Sequence, residues 1–208
     1  MGFRPSSTGF ELKKGAFYNF CKKAEIDSDN EYFFIIDEIN RGNLSKIFGE
    51  LFMLIENDKR GNALQLLYSD EKFAVPENVY IIGMMNTADR SLAMLDYALR
   101  RRFAFFDIKP GFETPGFREY RMALDNEKFN KLISCVENLN GVIASDESLG
   151  EGFCIGHSYF CNLQPDTIND DWLYGVVEYE LIPLLKEYWF DEPMKVKDWS
   201  ENLRSTIK

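Results

Sequence analysis

The sequence predicts an α/β unit built on a parallel sheet with flanking helices, followed by a unit made only of helices. Two continuous apolar runs, at residues 32–37 and 79–85, each end in polar residues, and helical spacings of apolar residues separate them. Apolar runs of this length are typical of strands in a parallel sheet, which helices cover on both faces. Beyond residue 110 only helical patterns occur. We therefore predict a boundary near residue 110, between a domain at 1–110 and a domain at 111–208.

The elements of the first domain follow from local patterns. The two strands are YFFIID at 32–37 and VYIIGMM at 79–85, and we expect both to be buried on both faces. Asn43 precedes apolar residues at three- and four-residue spacings, as the N-cap of an amphipathic helix does. The other elements expected here are a short helix at 16–24, a β-hairpin within 62–76, a helix at 92–102 and a third apolar run at 103–108.

The second domain shows the patterns of several helices. Thr114 followed by Pro115 is typical of an N-cap with proline at the first helical position. A long helix over 172–188 contains Pro183, which predicts a kink there, and an amphipathic helix is expected at 195–203. One helix face is formed by Phe129, Leu132, Ile133, Val136 and Leu139.

Composition and charge exclude several classes of protein. With 45% hydrophobic and 15% aromatic residues, the chain of 208 residues is too apolar to be disordered. Its 24 Lys and Arg against 34 Asp and Glu give a net charge of −10, which disfavours a role as the main grip on nucleic acid. It has no apolar run long enough to span a membrane and no apolar leader, so a cytoplasmic location is expected. Four cysteines at irregular spacings and a single histidine favour reduced thiols over a zinc site.

Asp37 and Glu38 form an acidic pair at the end of the first predicted strand. The carboxyl ends of parallel strands are where ligands bind in open α/β sheets. Two carboxylates at that edge suit a magnesium ion and a water held for attack on a phosphate, as phosphoryl transfer requires. The same pair also fits a solvated strand end or a helix cap, which is the more common use of such a pair.

Polar residues also follow the second strand and the next helix. The Asn86 amide is suited to hold an attacking water against a γ-phosphate or to close the strand in an Asx-turn, and the two roles are compatible. Three consecutive arginines, Arg100, Arg101 and Arg102, end the predicted helix. They complement the helix dipole as a solvated cap does. On an acidic chain so dense a basic group favours anion recognition, because guanidinium groups bind phosphate through paired hydrogen bonds.

These residues lie in blocks that resemble the AAA+ domain of McrB-type GTPases, the motor subunits of methylcytosine-specific restriction systems. The blocks are FFIIDEINRGNLSKIFGELFMLIENDKRG, VPENVYIIGMMNTADRSLAMLDYALRRRFAFFDIKPGF and GFCIGHSYF. The resemblance covers most of the chain, and DEINR and MNTADRS are its most specific parts. It implies a partial AAA+ P-loop NTPase core, a parallel sheet with flanking helices, followed by an all-helical lid.

The resemblance also implies roles for single residues. Asp37 would be the Walker B carboxylate that holds magnesium indirectly, Glu38 the general base and Asn86 the sensor-1 residue. Arg101 and Arg102 would reach across a subunit interface to the neighbour's nucleotide.

Further roles are implied at the nucleotide or the subunit interface. For Arg41 and Asp96, an intersubunit salt bridge fits as well as a catalytic role. His157 would lie in the lid, where AAA+ proteins often carry a second sensor, although a lone histidine is more often a satisfied core residue. The residues that the resemblance places in this group are Asn40, Arg41, Asp89, Arg90, Asp96 and His157.

The resemblance further implies cofactors and partners. These are Mg²⁺ with GTP or ATP, a ring homo-oligomer that is a hexamer, an McrC-type nuclease subunit, and DNA bound through a separate N-terminal domain. The P-loop pattern G-x-x-x-x-G-K-[ST], which cradles phosphates, does not occur in the sequence. We therefore expect the C-terminal part of an AAA+ domain, cut between Walker A and Walker B, that does not hydrolyse nucleotide by itself although its parent does. Two alternatives stay open: a non-enzymatic interaction module derived from the AAA+ fold, and a fragment of a MoxR-type ATPase chaperone.

Overall fold

The computed structural model describes residues 2–7, 9–86, 88 and 100–208. The chain divides into two compact units, Met1–Phe106 and Asp107–Lys208, which we call the sheet unit and the helical unit. Within the described ranges, no helix has both the length and the apolar composition that a membrane crossing needs.

The sheet unit is organised around two parallel strands, as the apolar runs predict. Its strands are β1 (Gly2–Ser6), β2 (Gly9–Lys13), β3 (Tyr32–Ile36), β4 (Leu64–Gln65), β5 (Lys72–Phe73) and β6 (Val79–Gly83). β3 pairs with β6 in parallel, from Tyr32 opposite Val79 to Ile36 opposite Gly83. β4 and β5 form the hairpin expected within 62–76, whereas the antiparallel β1–β2 hairpin is an element that the sequence patterns did not predict.

Two α-helices of the sheet unit lie in its described part, α1 (Ala16–Ile26) and α2 (Leu44–Phe48). As predicted, α2 begins at Asn43, whose side-chain oxygen accepts a hydrogen bond from the Lys46 amide at 2.9 Å. The helix is shorter than its apolar pattern indicates. Gly49 adopts a φ of +53°, and the chain continues as a 3₁₀ helix, Gly49–Met53. Glycine tolerates this backbone conformation because it has no Cβ.

Only one face of the β3–β6 sheet is covered by described residues, which corrects the prediction that both strands are buried on both faces. On the covered face, the Phe34 ring lies edge to face against the Phe17 ring of α1, with centroids 5.1 Å apart. On the other face, four apolar side chains are between 44% and 60% exposed: Phe33, Ile35, Tyr80 and Ile82. The alternation of side chains along a strand explains the difference, because helix α1 packs against one side of the sheet alone.

The third apolar run, 103–108, does not form a strand. Phe103 packs against the core of the sheet unit, whereas the side chains of Phe106 and Ile108 are 89% and 88% exposed. A strand needs a neighbour to satisfy its backbone groups, and no strand in the described ranges pairs with this segment. Most of the helix predicted at 92–102 lies outside the described residues.

The helical unit follows the predicted pattern closely. Its α-helices in the described ranges are α3 (Pro115–Leu124), α4 (Glu127–Ser145), α5 (Asp170–Gly175), α6 (Ile182–Tyr188) and α7 (Pro193–Thr206). Thr114 caps α3 by accepting a hydrogen bond from the Phe117 amide. The five apolar residues predicted to share a face of α4 are all fully buried.

The kink predicted near Pro183 is a change of helix type. Between α5 and α6 the segment Val176–Leu181 is a π-helix, and the Ile182 amide donates to the Val177 carbonyl five residues back. Pro183 has no N–H, and in an α-helix its ring would clash with the carbonyl four residues back. The wider π register lets the chain continue as a helix past the proline.

Candidate functional site

The ends of β3 and β6 bring the predicted polar residues to one edge of the sheet. Main-chain pairing continues past both strands, because the Met84 amide donates to the Ile36 carbonyl at 2.8 Å and the Ile39 amide donates to the Met84 carbonyl at 2.9 Å. The chain after β3 therefore turns back across the end of β6. We call residues 37–41 of this turn the acidic turn.

Asp37 and Glu38 are both exposed in the acidic turn. Asp37 Oδ1 accepts a hydrogen bond from the Glu38 amide at 2.9 Å, and Glu38 Oε2 lies 3.1 Å from Arg41 Nε. Glu38 adopts φ 50° and ψ 45°, a left-handed conformation that is uncommon for residues other than glycine. Backbone strain of this kind persists only where the surrounding structure fixes it, and it is concentrated at functional sites.

Two asparagines join the acidic turn to the end of β6. Asn40 Nδ2 donates to the Asn86 carbonyl at 3.3 Å, and Asn86 Oδ1 accepts from the Ala88 amide at 3.0 Å. The Asn86 side chain thus makes the contact of an Asx-turn, which leaves its Nδ2 group without a partner among the described contacts. Asn40 Oδ1 is buried and likewise lacks a partner within the described ranges. It is an acceptor available to a water or a ligand.

Gly83, the last residue of β6, is needed for the acidic turn to pack on the sheet. A Cβ at this position would lie 2.5 Å from Ile39 Cδ1 and 3.2 Å from Ile39 Cγ2. Ile39 is 7% exposed and is the buried residue of the acidic turn. Sequence reasoning missed this pair, although a glycine inside an otherwise apolar strand is a signal of close approach.

Arg101 and Arg102 differ in their surroundings. Arg101 is exposed, whereas 14% of the Arg102 side chain is exposed. Arg102 Nε donates to the Phe52 carbonyl at 3.0 Å, its guanidinium lies 4.1 Å from the Phe52 ring centroid, and it pairs with Glu56. Arg102 is thus engaged within the sheet unit by partners about 50 residues earlier in the chain, which no local pattern indicates. Three further predicted residues lie outside the described residues: Asp89, Arg90 and Asp96.

His157 lies in the helical unit, where its ring is held by its neighbours. Its Nδ1 accepts a hydrogen bond from the Gly111 amide at 2.9 Å. The ring lies edge to face with Phe112 and Phe117, at centroid distances of 6.2 Å and 5.7 Å. These contacts are those of a satisfied core histidine, and among the described hydrogen bonds the ring uses Nδ1 and not Nε2.

Asp37 of the acidic turn could contribute one carboxylate oxygen to a magnesium site. Asp37 offers an exposed carboxylate with one oxygen, Oδ2, unused among the described hydrogen bonds. No group of three or more His, Cys, Asp or Glu side chains in the described ranges could hold a metal alone. A single carboxylate suits magnesium, which keeps several waters and takes its other ligands from phosphates.

The cysteines are free thiols, and burial raises the pKa of Cys21 to about 12, as expected of an inert core thiol.

Comparison with known proteins finds matches to both units. The family "AAA domain (dynein-related subfamily)" matches residues 1–103, and "McrB, alpha-helical lid domain" matches residues 131–197. The Type IV methyl-directed restriction enzyme EcoKMcrB subunit of Escherichia coli (strain K12) is 51% identical over 97% of this chain. The Type II restriction enzyme BsuMI component YdiS of Bacillus subtilis (strain 168) is 28% identical over 69% of it. The chain spans 46% and 48% of the lengths of these two relatives, about half of each.

Proposed function

Because the chain belongs to the McrB-type family of AAA+ proteins, we propose that it carries the Walker B half and the lid of a nucleotide-hydrolysing motor of a DNA restriction system. The observation that carries this proposal is the acidic turn. Its exposed Asp37 and Glu38 follow the carboxyl end of β3, and Asn40 ties the turn to the end of β6. The names of both relatives describe restriction-enzyme components, which supports the same setting.

The proposed site divides the work among four side chains. Asp37 is the residue that would hold magnesium indirectly, and magnesium with GTP or ATP, when bound, would neutralise charge on the phosphates. Glu38 is the general base, which accepts the proton of the attacking water. Asn86 orients that water with Nδ2, because its Oδ1 is occupied by the Ala88 amide. Arg41 holds the Glu38 carboxylate in place until water and nucleotide arrive.

We assign the arginine that reaches a neighbouring subunit's nucleotide to Arg101. Its side chain is exposed, whereas Arg102 supports that position from within through Phe52 and Glu56. An arginine supplied in this way stabilises the charge that develops on the phosphates. The assignment requires a ring homo-oligomer, for which a hexamer is the proposed size, and Asp96 is proposed to form an intersubunit salt bridge there.

The complete motor is proposed to work with further components. We infer an McrC-type nuclease subunit as its partner and DNA binding through a separate N-terminal domain. The words "subunit" and "component" in the names of the relatives support an enzyme made of several chains. None of the 208 residues forms a P-loop pattern. The proposal is therefore that this chain turns over nucleotide only when a P-loop-bearing segment supplies the phosphate cradle.

The test is nucleotide turnover by this chain joined to a P-loop-bearing segment of its family. With magnesium and GTP or ATP present, we expect turnover that Glu38→Gln lowers at least about 100-fold, because the base contribution of a positioned carboxylate is of this order. Nucleotide binding should survive the substitution. The matched control is Glu31→Gln, an exposed carboxylate at the other end of β3. Turnover that is equal in the Glu38→Gln and Glu31→Gln variants would refute the assignment.

One alternative function is favoured by a specific observation. The absence of a P-loop pattern from these 208 residues fits a non-enzymatic interaction module that keeps the AAA+ fold. In that case the joined protein would bind partners without turnover. The match of residues 131–197 to the lid of McrB argues against the MoxR-type chaperone as a source of this chain.

A further inference from the structure

His157 fixes the start of the helical unit, and we propose that it is a positioning residue that sets where the linker between the two units ends. It is the single histidine of the chain. Its Nδ1 accepts the Gly111 amide at 2.9 Å. The Gly111 carbonyl accepts from the Thr114 amide at 3.1 Å and from Thr114 Oγ1 at 2.7 Å. Both backbone groups of Gly111 are thus held by the helical unit. We call the Gly111–His157 contact the glycine clamp.

Packing makes the glycine clamp specific for glycine at position 111. A Cβ on Gly111 would lie 3.0 Å from His157 Cε1 and 3.2 Å from each ring nitrogen, so the imidazole lies directly over the glycine backbone. Phe112 and Phe117 contact the ring edge to face. Real Cβ atoms are rarely found so close to a ring that is packed on other sides, so any other residue at 111 would displace the imidazole.

The hydrogen bond from the Gly111 amide also determines which tautomer the neutral imidazole adopts. Because Nδ1 accepts the Gly111 N–H, the proton of the neutral ring resides on Nε2. A ring of the same shape without an acceptor at this position would leave the Gly111 amide unsatisfied. An asparagine at 157 would restore an acceptor, since its Oδ1 is bonded to Cγ as Nδ1 is.

The clamp defines one end of a short free segment. On the sheet-unit side, Arg102 is held by Phe52 and Phe103 packs into the core. On the helical-unit side, Lys109 pairs with Glu151 at 3.1 Å, two residues before the clamp. Residues 104–108 between these points have no hydrogen bond or ion pair among the described contacts, and Phe106 and Ile108 are almost fully exposed. Within the described part of the chain, residues 104–108 therefore separate the last contacts of the sheet unit from the first contacts of the helical unit.

The positioning role of His157 rests on the proposed function only where it concerns nucleotide turnover. A lid whose attachment point is fixed responds to nucleotide as a rigid body, whereas a released clamp frees the chain as far as Gly111, directly before the buried Phe112. Loss of the clamp should therefore lower turnover of the P-loop-complete protein without unfolding the helical unit. The clamp itself is a property of this chain and is testable without nucleotide.

The experiment is residue-resolved amide hydrogen exchange on the 208-residue chain, with no nucleotide present. The reference is the Leu163 amide, which donates to the Tyr120 hydroxyl at 2.8 Å in the same unit. In His157→Phe, which keeps an aromatic ring but has no acceptor, we expect Gly111 exchange to rise about tenfold while Leu163 is unchanged. His157→Asn should restore part of the protection.

Two outcomes would overturn the clamp: Gly111 exchange that is unchanged in His157→Phe, or Gly111 and Leu163 exchange that rise together. Nucleotide turnover is then compared in the P-loop-complete protein, which is this chain joined to a P-loop-bearing segment of its family. There His157→Phe should lower kcat and His157→Asn should recover it. If kcat is unaffected although Gly111 is released, the positioning role is wrong. If the unsubstituted protein has no turnover, the proposed function fails while the exchange result on the clamp stands.

Discussion

The carboxylate of Asp146 is the most heavily engaged acid in the helical unit. Trp189 Nε1 donates to its Oδ2 at 2.8 Å, Lys195 Nζ lies 2.6 Å from the same oxygen, and Ser148 donates to Oδ1 from its amide and its hydroxyl. The hydrogen bond from Lys195, with those from Ser148 and Trp189, holds the pKa of the Asp146 carboxyl well below its usual range. Because Trp189 is 1% exposed, this network ties the end of α4 to Trp189 after α6 and to Lys195 in α7.

Asp146→Asn should therefore destabilise the helical unit in a pH-dependent way. A carboxyl with a lowered folded pKa stabilises the protein above its unfolded pKa of about 3.9, and this contribution is lost as the pH falls through the folded value. At neutral pH we expect a loss of about 2 kcal/mol, the order of hydrogen bonds to a charged group. Urea unfolding at pH 7 and at pH values below 4 measures the effect. Glu147→Gln, an exposed neighbour, is the control, and a loss that stays constant as the pH falls would contradict the assignment.

At the scale of elements, local sequence patterns predicted the strands, helix caps and buried helix face that depend on residues close together in the sequence. The strands β3 and β6, the Asn43 and Thr114 caps and the buried face of α4 were all indicated by spacing and composition. The β1–β2 hairpin was missed because proline in a short segment weakens a strand pattern. The face of the sheet that described residues leave exposed was missed because the same apolar run describes a strand whether one or two layers cover it.

For the candidate site, the placement of its residues could be predicted from the sequence, whereas their long-range contacts could not. The placement of Asp37 and Asn86 at one edge follows from the strands that precede them, since parallel strands end together. The left-handed backbone of Glu38, the partners of Arg102 and the hydrogen bond of His157 depend on contacts between distant residues. For the last two, the sequence separations are 50 and 46 residues. No pattern within a helical turn or a strand encodes such contacts.

The junction of β6 with the acidic turn permits a test at this scale. Gly83→Ala should cost about 1–3 kcal/mol, because the added methyl group overlaps Ile39 and forces it out of its packed position. In an Ile39→Ala background the same substitution should cost much less, which a double-mutant cycle of unfolding free energies measures. Gly116→Ala, with open space around its Cβ, is the matched control. Equal costs in both backgrounds would show that the Gly83–Ile39 contact is unimportant.

At the scale of the whole molecule, the charge is distributed unevenly. The helical unit, Asp107–Lys208, carries 10 Lys and Arg against 19 Asp and Glu, a net charge of −9. The sheet unit carries 14 against 15, a net charge of −1. The helical unit therefore repels polyanions, and the balanced sheet unit offers no compensating excess of positive charge.

This distribution predicts that the 208-residue chain does not bind DNA by itself. Titration of a fluorescent duplex at physiological ionic strength should give no change in anisotropy up to about 0.1 mM protein, the weak end of non-specific DNA binding. A methylated and an unmethylated duplex should behave alike. Binding that weakens steeply as salt is added would contradict this expectation, because such a slope reports phosphate contacts.

The face of the β3–β6 sheet that no described residue covers also bears on how the polypeptide behaves when it is handled alone. This face exposes apolar side chains that favour association between molecules: Phe33, Ile35, Tyr80 and Ile82. The excess of carboxylates on the helical unit opposes this association by charge repulsion. Added electrolyte shortens the range of that repulsion but leaves the adhesion intact. Charge repulsion therefore keeps this chain in solution. We expect it to stay soluble in buffer of low ionic strength and to aggregate as the salt concentration rises.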